Sequence, residues 1–112
     1  MDKKGNYLDK RPVHSQNINW SKDDNGMVAL SIENKGFFNR LAQLLFKKPK
    51  ISYIHLDEIG SFVWPLIDGE KTIGDMAEDV KLHFAEKADP VYERLARYFQ
   101  ILASYNFITW NE

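Results

Sequence analysis

The chain has 112 residues, of which 44% are hydrophobic and 13% aromatic, and a formal net charge of -1 at pH 7. This length is enough for one domain with its own core, and the composition is typical of a globular protein and not of a disordered one. The absence of cysteine excludes disulfides, thiolate metal sites and iron–sulfur clusters in this chain.

Apolar runs are short throughout the sequence. None approaches the about 20 residues that a membrane-spanning helix needs, and the basic N-terminus lacks an apolar signal segment. We therefore expect a cytoplasmic protein with no membrane partner. Charge is unevenly distributed, because segment 33–50 has five basic residues against one acid, whereas segment 57–93 has ten acids against three lysines. The front of the chain is basic and the helical part is acidic.

The first segment, 1–17, is polar and lacks periodicity, which predicts a flexible N-terminal tail. Three of its side chains, Tyr7, Leu8 and Val13, are apolar enough to dock elsewhere. The remainder, 18–112, is predicted to form a single domain.

Residues 18–33 predict a β-hairpin, because apolar and polar residues alternate on both sides of a turn at 23–26, DDNG. The next segment, 36–48, begins GFFNRLAQLLF and has apolar residues at helical spacing, which predicts an inserted amphipathic helix. Three roles stay open for this helix: a cover for the sheet, a dimerisation or partner surface, and a basic contact with a membrane.

A third strand is predicted at 51–56, and three helices follow it. Asp57 is the predicted N-cap of the first helix, which extends to Ile67 and contains Pro65, a residue that should kink or shorten the last turn. The second helix, 73–84, follows the capping-box-like sequence TIGD.

The third helix is predicted to start from an N-cap at Asp89, with Pro90 at its first position, and to extend to Tyr105. Asn106 suits the left-handed C′ position, and a short β-like piece follows at 107–110. The predicted fold class is α+β and winged-helix-like, with a three-stranded antiparallel sheet followed by three helices and an extra helix inserted between strands two and three.

No arrangement of residues indicates catalysis, a metal site or a cofactor. His14, His55 and His83 fall in different elements, and none has a partner at the four-residue spacing of a helical metal site. Of the three, His55 on the third strand is the strongest candidate for a functional residue. The serines lack a nucleophile motif, and there is no glycine-rich phosphate loop. We predict a protein that is not an enzyme.

A helix-turn-helix interpretation of 72–105 would make the third helix a DNA-recognition helix. That helix starts with Asp89 and Glu93 and offers only Arg94 and Arg97 as cations. Affinity for DNA comes mostly from neutralising phosphates, so the acidic surroundings disfavour nucleic-acid binding.

Peptide binding has a different requirement. The third strand would be the edge of a small sheet, and an extended peptide can pair with its free N–H and C=O groups.

The segment from 56 to 77 is similar to the core signature of PqqD-like proteins. The matching pieces are LDEIGSFVW at 56–64, LIDG at 66–69, TI at 72–73 and MA at 76–77. The family commonly has a helix former where this chain has Pro65. The resemblance implies a peptide-recognition module for ribosomally made, post-translationally modified peptides. Such a module holds the leader of a precursor peptide between the third strand and the third helix. It presents the precursor to a modifying enzyme, frequently a radical-SAM enzyme, and has no catalysis of its own.

On this chain the resemblance places the peptide against the backbone of the third strand and side chains of the third helix. The candidate peptide-binding residues are Ile51, Ser52, Tyr53, Ile54, His55, Tyr92, Leu95, Ala96 and Phe99. Because the third helix is apolar on two faces, periodicity leaves open whether Leu95 and Phe99 line the cleft or the core. A DNA-binding protein, and a structural or assembly subunit that dimerises through the inserted helix, are the alternatives.

Overall fold

The computed structural model describes residues 7–16, 18–33 and 51–111, with the backbone alone at 32–33 and 51–52. The described part is a mixed α+β domain. Its strands are β1 (Arg11–His14), β2 (Ile18–Lys22), β3 (Val28–Glu33), β4 (Ile51–His55) and β5 (Ile108–Asn111). Its helices are α1 (Glu58–Val63), α2 (Ile73–Phe84) and α3 (Val91–Ser104), with 3₁₀ turns at Trp64–Leu66 and Ala85–Ala88.

The central sheet is three-stranded and antiparallel in the order β2-β3-β4, which confirms the predicted hairpin and third strand. The Asp23 carboxylate closes the hairpin turn by accepting hydrogen bonds from the backbone N–H groups of Asn25 and Met27, each at 2.9 Å. Gly26 supplies the left-handed conformation (φ 82°) that the turn requires.

The N-terminal segment differs from the prediction. Residues 11–14 form β1, which pairs antiparallel with β5 so that His14 lies opposite Ile108, and the expectation of a flexible tail is therefore wrong for these residues. Tyr7 and Leu8 pack against the core, as their apolar character suggested. The pairing escaped sequence reasoning because the two strands lie at opposite ends of the chain and neither has a strong local pattern.

The first two helices follow their predicted signals. Thr72 and Asp75 form a capping box, with the Asp75 N–H donating to the Thr72 hydroxyl at 3.0 Å and the Thr72 N–H donating to the Asp75 carboxylate at 3.1 Å. The hydrogen bond that the Asp75 carboxylate accepts from the Thr72 N–H holds the pKa of Asp75 below its usual range. Pro65 shortens α1, because the chain leaves the α-helix at Val63 and continues as a 3₁₀ turn.

The ends of α3 match the prediction only in part. The N-cap is Pro90 and not Asp89, because the Asp89 N–H bonds the Glu86 carbonyl at 3.2 Å and so terminates the preceding 3₁₀ turn. At the other end Asn106 adopts the predicted left-handed conformation (φ 63°). The N–H of Phe107 donates to the carbonyl of Leu102 at 2.9 Å, which completes a Schellman motif and turns Phe107 back towards the helix.

The predicted inserted helix at 36–48 lies outside the described residues. The winged-helix-like arrangement and the domain boundary at residue 18 remain predictions.

The core lies between the three-stranded sheet and the helices, and residues of the β1–β5 pair pack into it. Its most deeply buried side chains include Leu30, Val63, Trp64, Ile73, Met76, Val80, Leu95 and Phe99. The imidazole of His14 stacks on Trp64 with 4.1 Å between ring centroids, and its Nε2 lies 3.0 Å from the Trp64 carbonyl oxygen. β1 is therefore held by side-chain packing as well as by its strand partner.

The environment of His14 favours the neutral imidazole. Partial burial lowers the pKa of His14 from its ordinary value of 6.5, and the hydrogen bond to the Trp64 carbonyl opposes this only in part. In the unfolded chain the ring takes up a proton as the pH falls below about 6.5, whereas the folded protein resists protonation. The stability that His14 contributes is thus complete above about pH 6.5 and is lost as the pH falls through the lower, folded-state pKa.

We predict that His14→Gln reduces the loss of unfolding free energy that occurs as the pH falls. The free energy of unfolding of the native chain should fall between about pH 7 and pH 5, and the variant should lose less over the same range, since it has no imidazole to protonate. Urea unfolding at several pH values measures the difference, and His55→Gln, at an exposed position on β4, is the matched control. Parallel profiles for the native chain and His14→Gln would contradict the prediction.

Candidate functional site

The outer edge of β4 is the first feature of the candidate site. Within the described residues β4 pairs with β3 on one side only. The Leu56 N–H points to β3, where it donates to the Val28 carbonyl at 2.9 Å. Because these directions alternate along an antiparallel strand, the N–H and C=O groups of Ile54 also point to β3, and those of Tyr53 and His55 point away from it. The strand thus offers a row of main-chain groups to a further strand.

An apolar groove of about 390 Å³ lies between β4 and α3. Its lining residues are Ile54, Leu56, Tyr98, Ile101, Leu102, Tyr105 and Phe107. Ile101 is 50% exposed and Tyr105 is 65% exposed, which is unusual for large apolar side chains that lie side by side. The groove is therefore a continuous apolar surface beside the free strand edge.

The helix positions that line the groove share one stripe. Tyr98, Ile101 and Tyr105 recur at three- and four-residue spacing and so lie on one face of α3. The Schellman motif at the end of the helix adds Phe107, whose ring stacks on Tyr105 with 5.5 Å between centroids. The end of α3 thus closes the groove.

Tyr98 joins α3 to α1 at the other end of the groove. Its hydroxyl donates to the carbonyl of Gly60 at 2.9 Å. Burial raises the pKa of Tyr98 well above its ordinary value of 10.0, and the nearby Asp57 carboxylate adds to the shift. Tyr98 is therefore a neutral phenol and a permanent hydrogen-bond donor at any physiological pH.

Gly60 leaves no room for a side chain between Asp57 and Tyr98. A Cβ at this position would lie 2.9 Å from an Asp57 carboxylate oxygen and 3.0 Å from a ring carbon of Tyr98. The same carboxylate caps α1 by accepting from the Gly60 N–H at 2.7 Å. Only glycine allows the cap and the tyrosine to occupy these places together.

Ser61 holds the adjoining ends of β3 and β4. Its hydroxyl accepts from the N–H of Val28 at 2.8 Å and donates to the carbonyl of Leu56 at 3.2 Å. The side chain is buried, and both of its hydrogen-bonding roles are used. It substitutes for strand pairing at the point where the chain leaves β4 for α1.

The predicted site residues on β4 lie along the free edge or beside the groove. Tyr53 is 64% exposed, His55 is exposed, and Ile54 faces the groove. Ile51 and Ser52 continue the strand, with backbone pairing to Glu33 and Ile32. The predicted site residues on β4 therefore lie together along one strand.

The predicted residues on α3 lie elsewhere. Leu95 and Phe99 are fully buried in the core, so they do not line the groove. Tyr92 hydrogen-bonds Glu78 on α2, and the carbonyl of Ala96 accepts from the Tyr7 hydroxyl at 3.5 Å. Both therefore lie on the flank of α3 that faces α2 and the N-terminal segment. Tyr98, Ile101 and Tyr105 line the groove instead, and their helical spacing is a signal that the sequence contains.

Other kinds of site are not seen in the described part of the chain. It contains no group of three or more His, Cys, Asp or Glu side chains arranged to hold a metal ion. None of its helices is long and apolar enough to cross a membrane.

A comparison with known protein families gives a match that includes the groove. A family model described as Coenzyme PQQ synthesis protein D (PqqD) matches residues 26–108. The chain belongs to the PqqD family. No curated protein and no solved structure matches the chain. The PqqD match contains β3, β4, α1, α2, α3 and every residue that lines the groove, whereas β1 and β2 lie before it.

Membership in the PqqD family indicates the kind of function that the chain has. PqqD proteins are non-catalytic accessory proteins of PQQ synthesis that work with a precursor peptide and a modifying enzyme. This is consistent with the prediction that the chain is not an enzyme and with a role as a peptide-binding partner module.

We predict that Gly60→Ala destabilises the protein although alanine favours helices. The added methyl group must displace Tyr98 or the Asp57 cap, and overpacking of this kind costs about 1–3 kcal/mol of unfolding free energy. The matched control is Gly74→Ala in α2, where the nearest atom to a new Cβ would be 3.4 Å away. Thermal and urea unfolding measure both variants. Equal stability of Gly60→Ala and the native chain would show that the close approach is not a constraint.

Proposed function

We propose that this PqqD-family protein is a non-catalytic module that binds the leader of a ribosomally made precursor peptide and presents it to a modifying enzyme, of the radical-SAM type. The observation that carries the proposal is the free edge of β4 beside an apolar groove that ends in exposed Ile101 and Tyr105.

Strand addition uses both features at once. An extended peptide would lie about 4.8 Å outside β4 and exchange main-chain hydrogen bonds with Tyr53 and His55. Every second side chain of the peptide would then face the groove, on the same side of the sheet as Ile54. Main-chain bonds supply sequence-independent affinity, and the apolar groove selects for aliphatic or aromatic side chains at alternate positions.

The same surface is poorly suited to DNA. The stripe of α3 that remains open is formed by Tyr98, Ile101 and Tyr105 and carries no positive charge. Phosphate contacts need clustered Arg or Lys side chains, and α3 has only Arg94 and Arg97. The assembly alternative rests on the 36–48 segment, which lies outside the described residues.

The decisive variant is Tyr53→Pro, because proline removes an N–H that points to the free edge and leaves the pairing with β3 intact. A peptide for the test is selected on the immobilised full chain from a phage-displayed library of random peptides. We predict that Tyr53→Pro weakens binding of that peptide by about tenfold or more, the equivalent of one or two main-chain hydrogen bonds. Fluorescence anisotropy with the labelled peptide measures the change.

The control for this test is Tyr53→Ala, which removes the side chain but keeps the N–H. It should retain most of the affinity, and circular dichroism verifies that both variants fold. Unchanged binding by a folded Tyr53→Pro variant would reject strand addition at β4.

The partners can be identified by a pull-down from native lysate, with the full chain as bait and the Tyr53→Pro variant in parallel. We expect the native bait to retain a short ribosomal peptide together with a radical-SAM enzyme, and the variant to lose the peptide. Salt-sensitive recovery of DNA by both baits would contradict the proposal.

A further inference from the structure

Helix α3 has a positively charged residue in line with the groove. Arg94 precedes Tyr98 by one helical turn, and both Arg94 and Arg97 are exposed. At about 100° per residue, Arg94 lies within about 15° of the centre of the stripe formed by Tyr98, Ile101 and Tyr105. Arg97 lies about 70° from that centre, on the side away from the core. Arg94 therefore continues the line of the uncharged stripe by one turn and ends it with a cation.

The contacts of Tyr98 show at which end of the groove Arg94 lies. A Cβ at Gly60 would lie 3.0 Å from the Tyr98 ring and 3.5 Å from the Cβ of Leu56, so Tyr98 and Leu56 are neighbours across the groove. From Tyr98 the helix continues along the groove to Ile101. Arg94 lies about 6 Å from Tyr98 in the opposite direction along the helix axis. The cation is therefore at the Leu56 end of the groove.

Arg94 has no ion-pair partner among the residues that the structure describes. The ion pairs in this part of the chain use lysines and lie on or beside α2: Lys71–Asp79 and Lys81–Glu78. The carboxylate beside Tyr98 is that of Asp57, which already caps α1 by accepting from the Gly60 N–H at 2.7 Å. The guanidinium of Arg94 thus has its hydrogen-bond donors available for a ligand.

We propose that Arg94 selects precursor peptides that have an Asp or Glu next to the apolar residues held in the groove. This inference rests on the proposed function. An unmodified peptide has one kind of anionic group, the carboxylate, and a guanidinium binds a carboxylate through two parallel hydrogen bonds. Arg94 is thereby a specificity-determining residue of the same site, and the ligand class becomes an apolar peptide segment with an acidic neighbour.

The geometry of strand addition fixes the position of the acidic residue. A peptide paired with β4 turns every second side chain to the groove, and two residues of a strand span about 6.6 Å. This matches the about 6 Å between Tyr98 and Arg94 along the helix axis. The acidic residue therefore stands two positions from the apolar residue opposite Leu56. A lysine or arginine at that position would be repelled, so the cation also excludes wrong peptides.

The test selects peptides from one phage-displayed random library on three immobilised proteins: the full native chain, Arg94→Glu and Arg97→Glu. We expect the native chain to enrich peptides with Asp or Glu two positions from an alternating pair of apolar residues. On Arg94→Glu the same position should change to Lys or Arg. Arg97→Glu makes the same change of net charge on the same helix, and as the matched control it should enrich the acidic motif of the native chain.

A synthetic peptide from the native selection measures the size of the effect by fluorescence anisotropy. Replacement of its acidic residue by the corresponding amide should weaken binding to the native chain about fivefold, a typical contribution for a partly exposed ion pair. The same replacement should not weaken binding to Arg94→Gln, because the interaction is already absent there. Added NaCl should reduce the fivefold difference. Circular dichroism verifies that each variant folds.

The inference and the proposed function fail in different ways. If the native chain enriches alternating apolar residues without an acidic neighbour, and Tyr53→Pro weakens their binding, strand addition holds and the role of Arg94 is rejected. That role is also rejected if Arg97→Glu changes the selected motif as much as Arg94→Glu does, since the effect would then come from net charge. If a folded Tyr53→Pro variant binds the selected peptides as tightly as the native chain, the proposed function itself is overturned.

Discussion

The contact between Tyr98 of α3 and Gly60 of α1 is the constraint on which the candidate site depends. Without a side chain at Gly60, the Tyr98 hydroxyl reaches its carbonyl while the Asp57 carboxylate still caps the helix. Directly beside it, Ser61 fastens the adjoining ends of β3 and β4. These contacts set the position of the β4 edge relative to α3, and a groove held by buried hydrogen bonds is already formed before any ligand binds.

Helix α3 has two apolar faces that serve different purposes. One face, with Leu95 and Phe99, is fully buried and supplies the core. The adjacent face, with Ile101 and Tyr105, remains largely exposed. Leaving such side chains in water forgoes the stabilisation that burial would give, about 25 cal/mol per Å² of apolar surface. A partner that covers the groove would recover this free energy, and this is why the uncovered face is informative about function.

The β1–β5 pair gives the domain a second sheet, and its strand residues do not line the groove. β1 lies before the part of the chain that matches the PqqD family model. It brings His14 onto the ring of Trp64. The carbonyl of Pro12, and that of Lys10 just before the strand, accept backbone hydrogen bonds from Gly69 and Ile73. This segment therefore stabilises the core without contributing to the groove lining.

The sequence by itself determined the local features. The hairpin turn, the capping box of α2, the shortened α1 and the left-handed Asn106 depend on residues within a few positions of each other, so their side-chain chemistry was sufficient. The tertiary structure alone decided the pairing of β1 with β5 and the choice between the two faces of α3. Both depend on contacts between residues far apart in the chain. Helical periodicity shows that Leu95 and Tyr98 lie on apolar stripes, but only the packing of α1, α2 and the sheet decides which stripe is buried.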